Sequence, residues 1–266
     1  MKFFNCIATL GLAIALGGCA TRGAPPLQEV RAFGAGSARL GAFSELTVHY
    51  RDTYKREQPY LLQQADQYER ETYARRHAAY DDFINIQKSV ALYLQTLGKL
   101  AGESQYDLSD QLKMLGSGIK AWPESGLDAS HAKAYTRLAQ LMAGAATASY
   151  QDAAVQAMLR DGDIPLQSLI GAMSTLMRHY EQTHSNEKKI VLGLIEIEIA
   201  LLDSTSEHLL SALAKAHYQD KAAEYALTGR RFTVAEKDLE ALARAHRSLL
   251  AQIGERSGTQ RDAVPN

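Results

Sequence analysis

The chain holds only two cysteines, six prolines and one tryptophan among its 266 residues. Both cysteines, Cys6 and Cys19, lie near the start, so the body that follows has neither a disulfide nor a thiolate metal site. Stability there rests on packing apolar side chains, and a 46% hydrophobic fraction suffices for a core. An excess of either charge is also missing: 29 lysines and arginines face 30 acids, a balance with no nucleic-acid footprint. Catalytic signatures are absent as well. The eight histidines contain no His-Glu-x-x-His pair, Gly-x-Ser-x-Gly does not occur, and Gly116-Ser117-Gly118 lacks the lysine and spacing of a phosphate-cradling loop. No apolar run reaches the roughly 20 residues of a membrane-spanning helix. The run Ile190–Leu202 is 13 residues long and is interrupted by Glu196 and Glu198.

What is present is helical periodicity. The prolines fall where helices start, kink or stop. Ser37 is placed to cap a first helix carrying Phe43, Leu46, Tyr50 and Tyr54, and Pro59 predicts a break near Gln58. Beyond it Asp66 with Arg70, and Glu71 with Arg75, are acid-before-base pairs four apart on an exposed helix face. Ala79, Phe83, Ile86, Val90, Tyr93, Leu97 and Leu100 then step by four and three, a bundle or coiled-coil seam that Gly102 ends. A helix from Tyr60 to Ala101 is about 60 Å long at about 1.5 Å per residue.

Asp107 predicts a short helix to about Ala121, Trp122 to Gly126 a turn, and Asp128 the cap of the next helix. Asp161-Gly162-Asp163-Ile164-Pro165 predicts a stop and a new start, with Asp163 as cap and Pro165 in the first turn. The pattern then runs to about Thr228; the Ile-Glu alternation at 195–199 alone reads as a strand, but Ile190, Leu194, Ile197 and Leu201 keep helical spacing. Gly229 predicts a stop and Thr233-Val234-Ala235-Glu236 a capping box. Leu239, Leu242, Ala243, Ala245, Leu249, Leu250 and Ile253 form the apolar face of the last helix. The expected fold class is all-α: an elongated helical bundle of about five to six helices, some long with coiled-coil-like seams, behind a flexible N-terminal tether. Expected boundaries are a signal peptide over 1–18, a tether over 19–35, one bundle domain over 36–256 and a disordered tail over 257–266.

Met1 to Gly18 has the three parts of a secretory signal: a start carrying Lys2, an 11-residue apolar run from Cys6 to Leu16, and small residues at the processing point. Leu16-Gly17-Gly18-Cys19 resembles the lipobox of bacterial lipoproteins. The resemblance implies that Cys19 receives a diacylglyceryl group, that the peptide is cut before Cys19, and that the new amino terminus is acylated. More than one chain, at about 0.8 kcal/mol per buried CH₂, anchors a protein stably to a membrane. Ala20 stands where inner-membrane lipoproteins of enteric bacteria carry aspartate, which implies the outer membrane, facing the periplasm. The helical body carries no family motif, and the resemblance does not extend to it.

Seven of the 13 tyrosines lie between Tyr50 and Tyr93, interleaved with arginine and lysine. Both residue types offer contact area and a polar handle, so Tyr50, Tyr54, Tyr68, Tyr73, Arg75, Arg76 and Tyr80 are candidate partner-binding residues. The competing reading is that the tyrosines line the seam of a long helix with their hydroxyls at its rim. Glu181-x-x-His184 has the spacing of helical di-iron sites, but only half the pattern is present, and in its nearest second copy, Asp128-x-x-His131, the aspartate reads as a cap. The expected role is a periplasm-facing binding or scaffold module for an unidentified envelope protein, leaning away from an enzyme but leaving that open, with no cofactor and no nucleic acid. Two alternatives stand beside it: a helical metal-binding protein or metalloenzyme using Glu181 and His184, and a periplasmic inhibitor or immunity-type lipoprotein. The helical seams also suit a homo-oligomer.

Overall fold

The computed structural model describes residues 26–102, 112–113, 115, 118–146, 151–202 and 206–261. Cys19 with its signal, and the expected helix start at Asp107, lie outside the described residues. Among the described residues the chain is an all-α bundle without strands; one isolated bridge joins Trp122 to Leu127. The helices are α1 (Leu27–Gly34), α2 (Gly41–Arg51), α3 (Thr53–Glu57), α4 (Gln63–Gly102), α5 (Ala129–Ala146), α6 (Gln151–Leu201) and α7 (His208–Arg261). Short 3₁₀ turns occupy Ala35–Leu40, Gln58–Tyr60 and Pro123–Ser125.

The spine is a hairpin of the two longest helices. Asp163 of α6 meets His246 of α7, and further along α6 His184 meets Tyr225, so position rises on one helix as it falls on the other. At about 1.5 Å per residue each arm is about 80 Å long. Helices α4 and α5 pack on α6, and α1 packs on α4. A Cβ on Gly34 would lie 2.5 Å from the Gly98 Cα, so α1 and α4 touch backbone to backbone. The expected seam of α4 is buried throughout, from Ala79 at 3% exposed to Leu100 at 0%. Asp128 caps α5 as the sequence predicts, its Oδ1 accepting from the Ser130 N–H at 2.8 Å. Gly126, at φ +80°, closes the Trp122 turn in a conformation that favours glycine.

Several expected boundaries are corrected. The first helix begins at Leu27, inside the stretch read as tether, because Val30 and Phe33 find a buried site against the bundle. No break occurs at Asp161–Pro165; α6 runs through it. Gly162 makes room for the Tyr93 hydroxyl, which a Cβ would approach to 2.5 Å, and Asp163 accepts from His246 Nδ1 at 3.1 Å instead of capping. Pro165 removes one backbone donor, a local loss outweighed by the buried face that Met158, Leu159, Leu166 and Leu169 carry past it. Helix α7 likewise passes Gly229 and Thr233, held by Thr228, Phe232 and Ala235 on the buried face, and continues to Arg261 where a tail was expected.

The distal end of α6 is helical, as its flanks required, but its buried face is turned by one residue. Val191, Leu192 and Ile195 pack with Tyr225, whereas Ile197 and Leu201 are 58% and 76% exposed. Leu209, Leu210 and Leu213 at the start of α7 are also exposed. Among the described residues no helix is long and apolar enough to cross a membrane.

Candidate functional site

Two polar constellations meet where α2 and α3 cross α4, α6 and α7. The outer one surrounds a cavity of about 210 Å³. From α4, Tyr68, Thr72, Arg75, Arg76 and Ala79 form one wall, since residues four, seven, eight and eleven places apart share a helix face. Tyr50 of α2 and His179 of α6 face them. The Trp122 turn supplies Glu124 and Ser125 and is pinned to α4 by the Trp122 indole N–H, which donates to Asp82 at 2.7 Å.

Arg76 is the unusual member. It is 7% exposed, its Cζ lies 5.2 Å from the centre of the Tyr50 ring, and its Nη1 is 3.4 Å from Glu69 Oε2. Neither Nε nor Nη1 donates a hydrogen bond, although both are buried. Tyr50 is locked from the other side by a stacked contact with Tyr180, centroids 4.3 Å apart, and its hydroxyl pairs with His179 Nε2 at 3.0 Å. Burial pushes the Tyr50 hydroxyl above the ordinary tyrosine range, and burial followed by Arg76 lowers the His179 imidazole. That pair is neutral, so the charge around the cavity is that of Arg75 and Arg76 set against Glu124 in the lining and Glu69 beside Arg76.

The inner constellation is closed. Arg56 of α3 grips Glu187 of α6 with two bonds, Nε to Oε1 at 2.8 Å and Nη2 to Oε2 at 2.7 Å, and the Tyr225 hydroxyl donates to Oε1 at 3.1 Å. His184 Nε2 lies 3.2 Å from the Tyr225 carbonyl, an acceptor only, so that nitrogen carries the proton. Its Nδ1 therefore accepts from His49 Nε2, 3.3 Å away. Burial, then Arg56, lowers the His49 imidazole to about 3, and burial lowers His184. Beside this network burial, then Glu69, pushes the Glu57 carboxyl up to about 7.

His49, His184 and Glu187 offer ligand atoms within 4.8 Å of one another, a nitrogen and carboxylate set of the kind that holds zinc. The surroundings do not fit a divalent ion. The guanidinium of Arg56 covers both Glu187 oxygens, and a cation placed there would sit beside that fixed positive charge. Glu181, the acid expected to join His184, is exposed on α6 while His184 is 5% exposed, so the structure pairs His184 with His49 instead.

The seven tyrosine and arginine candidates divide by role. Tyr50, Tyr68, Arg75 and Arg76 line the cavity together. Tyr54 is buried and donates to Asp66 at 2.8 Å, Tyr73 makes tilted ring contacts with Tyr54 and His77, and Tyr80 lies under the Arg51 guanidinium at 4.5 Å. These three tie α2, α3 and α4 together. Sequence spacing missed His179, Ser125 and Glu124, which come from distant elements, and it missed Arg56 and Glu187, 131 residues apart. Comparison with protein-family models, with curated proteins and with solved structures finds no match.

Proposed function

We propose that this chain is a lipoprotein of the bacterial cell envelope, fastened through Cys19 and facing the periplasm, whose helical body binds another envelope component. The Leu16-Gly17-Gly18-Cys19 signal supports the place of work. The cavity that joins Tyr50, Tyr68, Arg75 and Arg76 carries the reading of a binding module, because it gathers aromatic and guanidinium groups, the residue types that dominate recognition surfaces, around one opening.

The test has two parts. Cys19→Ala should abolish lipid labelling and leave the precursor uncut; normal labelling of that variant removes the tether. Photo-crosslinkers at Tyr68 and Arg75, both exposed at the cavity mouth, should capture a defined envelope protein in cells, while one at Glu240 on the far part of α7 should not. Capture at Glu240 with none at Tyr68 or Arg75 moves the binding surface elsewhere.

A further inference from the structure

We infer that the cavity above Arg76 is a receptor for a carboxylate carried on a small apolar or aromatic body. The inference rests on reading this face as the binding surface and does not depend on the lipid. Its chief support is Arg76, a side chain 7% exposed that lines the cavity while its Nε and Nη1 make no hydrogen bond. Glu69, 3.4 Å from Nη1, balances part of the charge without a hydrogen bond, so the unmet donors still carry a desolvation cost that an acceptor arriving from the cavity relieves. The guanidinium fork matches a planar carboxylate.

Size and charge narrow the ligand. A volume of about 210 Å³ is below the roughly 300–1,000 Å³ of sites for drug-sized molecules, so the occupant is a single ring or a short chain. Tyr50, Tyr68 and Ala79 give that body apolar walls, and the Ser125 hydroxyl adds a polar handle. Glu69 lies 3.4 Å from Arg76 and Glu124 stands at the rim, so a phosphate dianion meets two acids where a carboxylate monoanion brings half the charge. Arg75 at the mouth, exposed and cationic, favours approach of an anion.

The carboxylate belongs either to a free small acid or to the C-terminus of a peptide, and calorimetric titration of the full-length chain in detergent separates these sources. The probes are 3-phenylpropionate, its neutral amide, inorganic phosphate, and an acetylated peptide ending in phenylalanine with a free or an amidated terminus. We expect 3-phenylpropionate or the free-acid peptide to bind about tenfold or more tightly than its amide, and phosphate to bind more weakly than either acid. Preference for the peptide acid assigns the ligand to a chain terminus, and preference for the small acid assigns it to a free metabolite. Arg76→Gln should remove the acid-over-amide preference; should that variant fail to fold, Arg75→Gln at the exposed mouth should still weaken acid binding several-fold. Equal binding of acid and amide by the unaltered protein, tighter binding of phosphate, or no acid binding below about 10 mM overturns the inference. Crosslinking at Tyr68 without an acid preference keeps the binding face and removes this chemistry; acid preference without crosslinking does the reverse.

Discussion

Glu187 is the residue on which the inner network converges, since it is 0% exposed and receives Arg56 twice and Tyr225 once. Removing one partner of a buried ion pair leaves the other charge uncompensated, at a cost of about 3–5 kcal/mol. Arg56 retains 21% side-chain exposure, which places the cost at the lower end. Glu187→Gln should therefore lower unfolding free energy by about 3 kcal/mol in urea titration, and Tyr225→Phe by about 1 kcal/mol. A Glu187→Gln protein as stable as the parent would mean that the network does not exist in solution.

Two neighbours of Glu187 set the response to pH in opposite directions. The folded chain holds a proton on Glu57 up to about pH 7, against 4.5 for the ordinary carboxyl, so it binds more protons than the unfolded chain across that interval. Stability from this group is complete below 4.5 and is lost as pH rises through about 7. His49 behaves conversely: with its folded value near 3 against 6.5, the unfolded chain takes up the proton first, and stability falls as pH drops from 6.5. Burial lowers His179, His184 and His246 in the same sense, so the acid side is dominated by histidine. Comparing Glu57→Gln with the parent isolates the carboxyl. Their stability difference should shift in favour of the variant by about 2 kcal/mol between pH 4.5 and 7.5, and a constant difference would show that Glu57 titrates normally.

At the scale of elements, the α4 seam and the Asp128 cap were legible because each depends on residues within a turn or two of one another. The stops expected at Asp161–Pro165 and Gly229 were not, because a continuous partner helix outweighs the local preference of one proline or glycine. Gly162 illustrates the ambiguity: glycine marks a helix end or a close approach, and only the position of Tyr93 tells which. Helix α1 was missed for a related reason, since its eight residues, Leu27–Gly34, are too few to read as a helix alone and fold against α4. That docking yields a sharp comparison. A Cβ at Gly34 meets the Gly98 Cα at 2.5 Å and the Leu94 carbonyl at 2.8 Å, backbone atoms that cannot step aside, whereas a Cβ at Gly41 meets nothing within 4 Å. Gly34→Ala should cost about 1–3 kcal/mol and speed amide exchange in α1, while Gly41→Ala should be neutral or slightly stabilising. Equal effects would place α1 away from α4.

For the whole molecule, the tyrosine-arginine cluster was readable from the chain, while the cavity was not, because it needs the Trp122 turn and α6 brought against α4. The hairpin also gives the molecule a direction. Gln252 of α7 donates to Glu29 of α1 at 2.7 Å, so the N-terminal end of the fold sits beside the end of the hairpin opposite its loop. From residue 252 to the start of α7 at His208 is about 66 Å along the helix at about 1.5 Å per residue, and the exposed leucines lie at that far end. Under the attachment proposed above, the hairpin tip is the end of the fold away from residue 26, with the Arg76 cavity between the two. This geometry depends on α6 being one rod through Pro165. Spin labels at Asp152 and Glu181, both exposed, flank that proline and stand 29 residues apart. An unbroken helix places them about 44 Å apart in pulsed dipolar spectroscopy. If Asp163 instead opened a second helix folding back on the first, the separation would collapse to well under half that value, and both the reach of the hairpin and the height of the cavity would have to be redrawn.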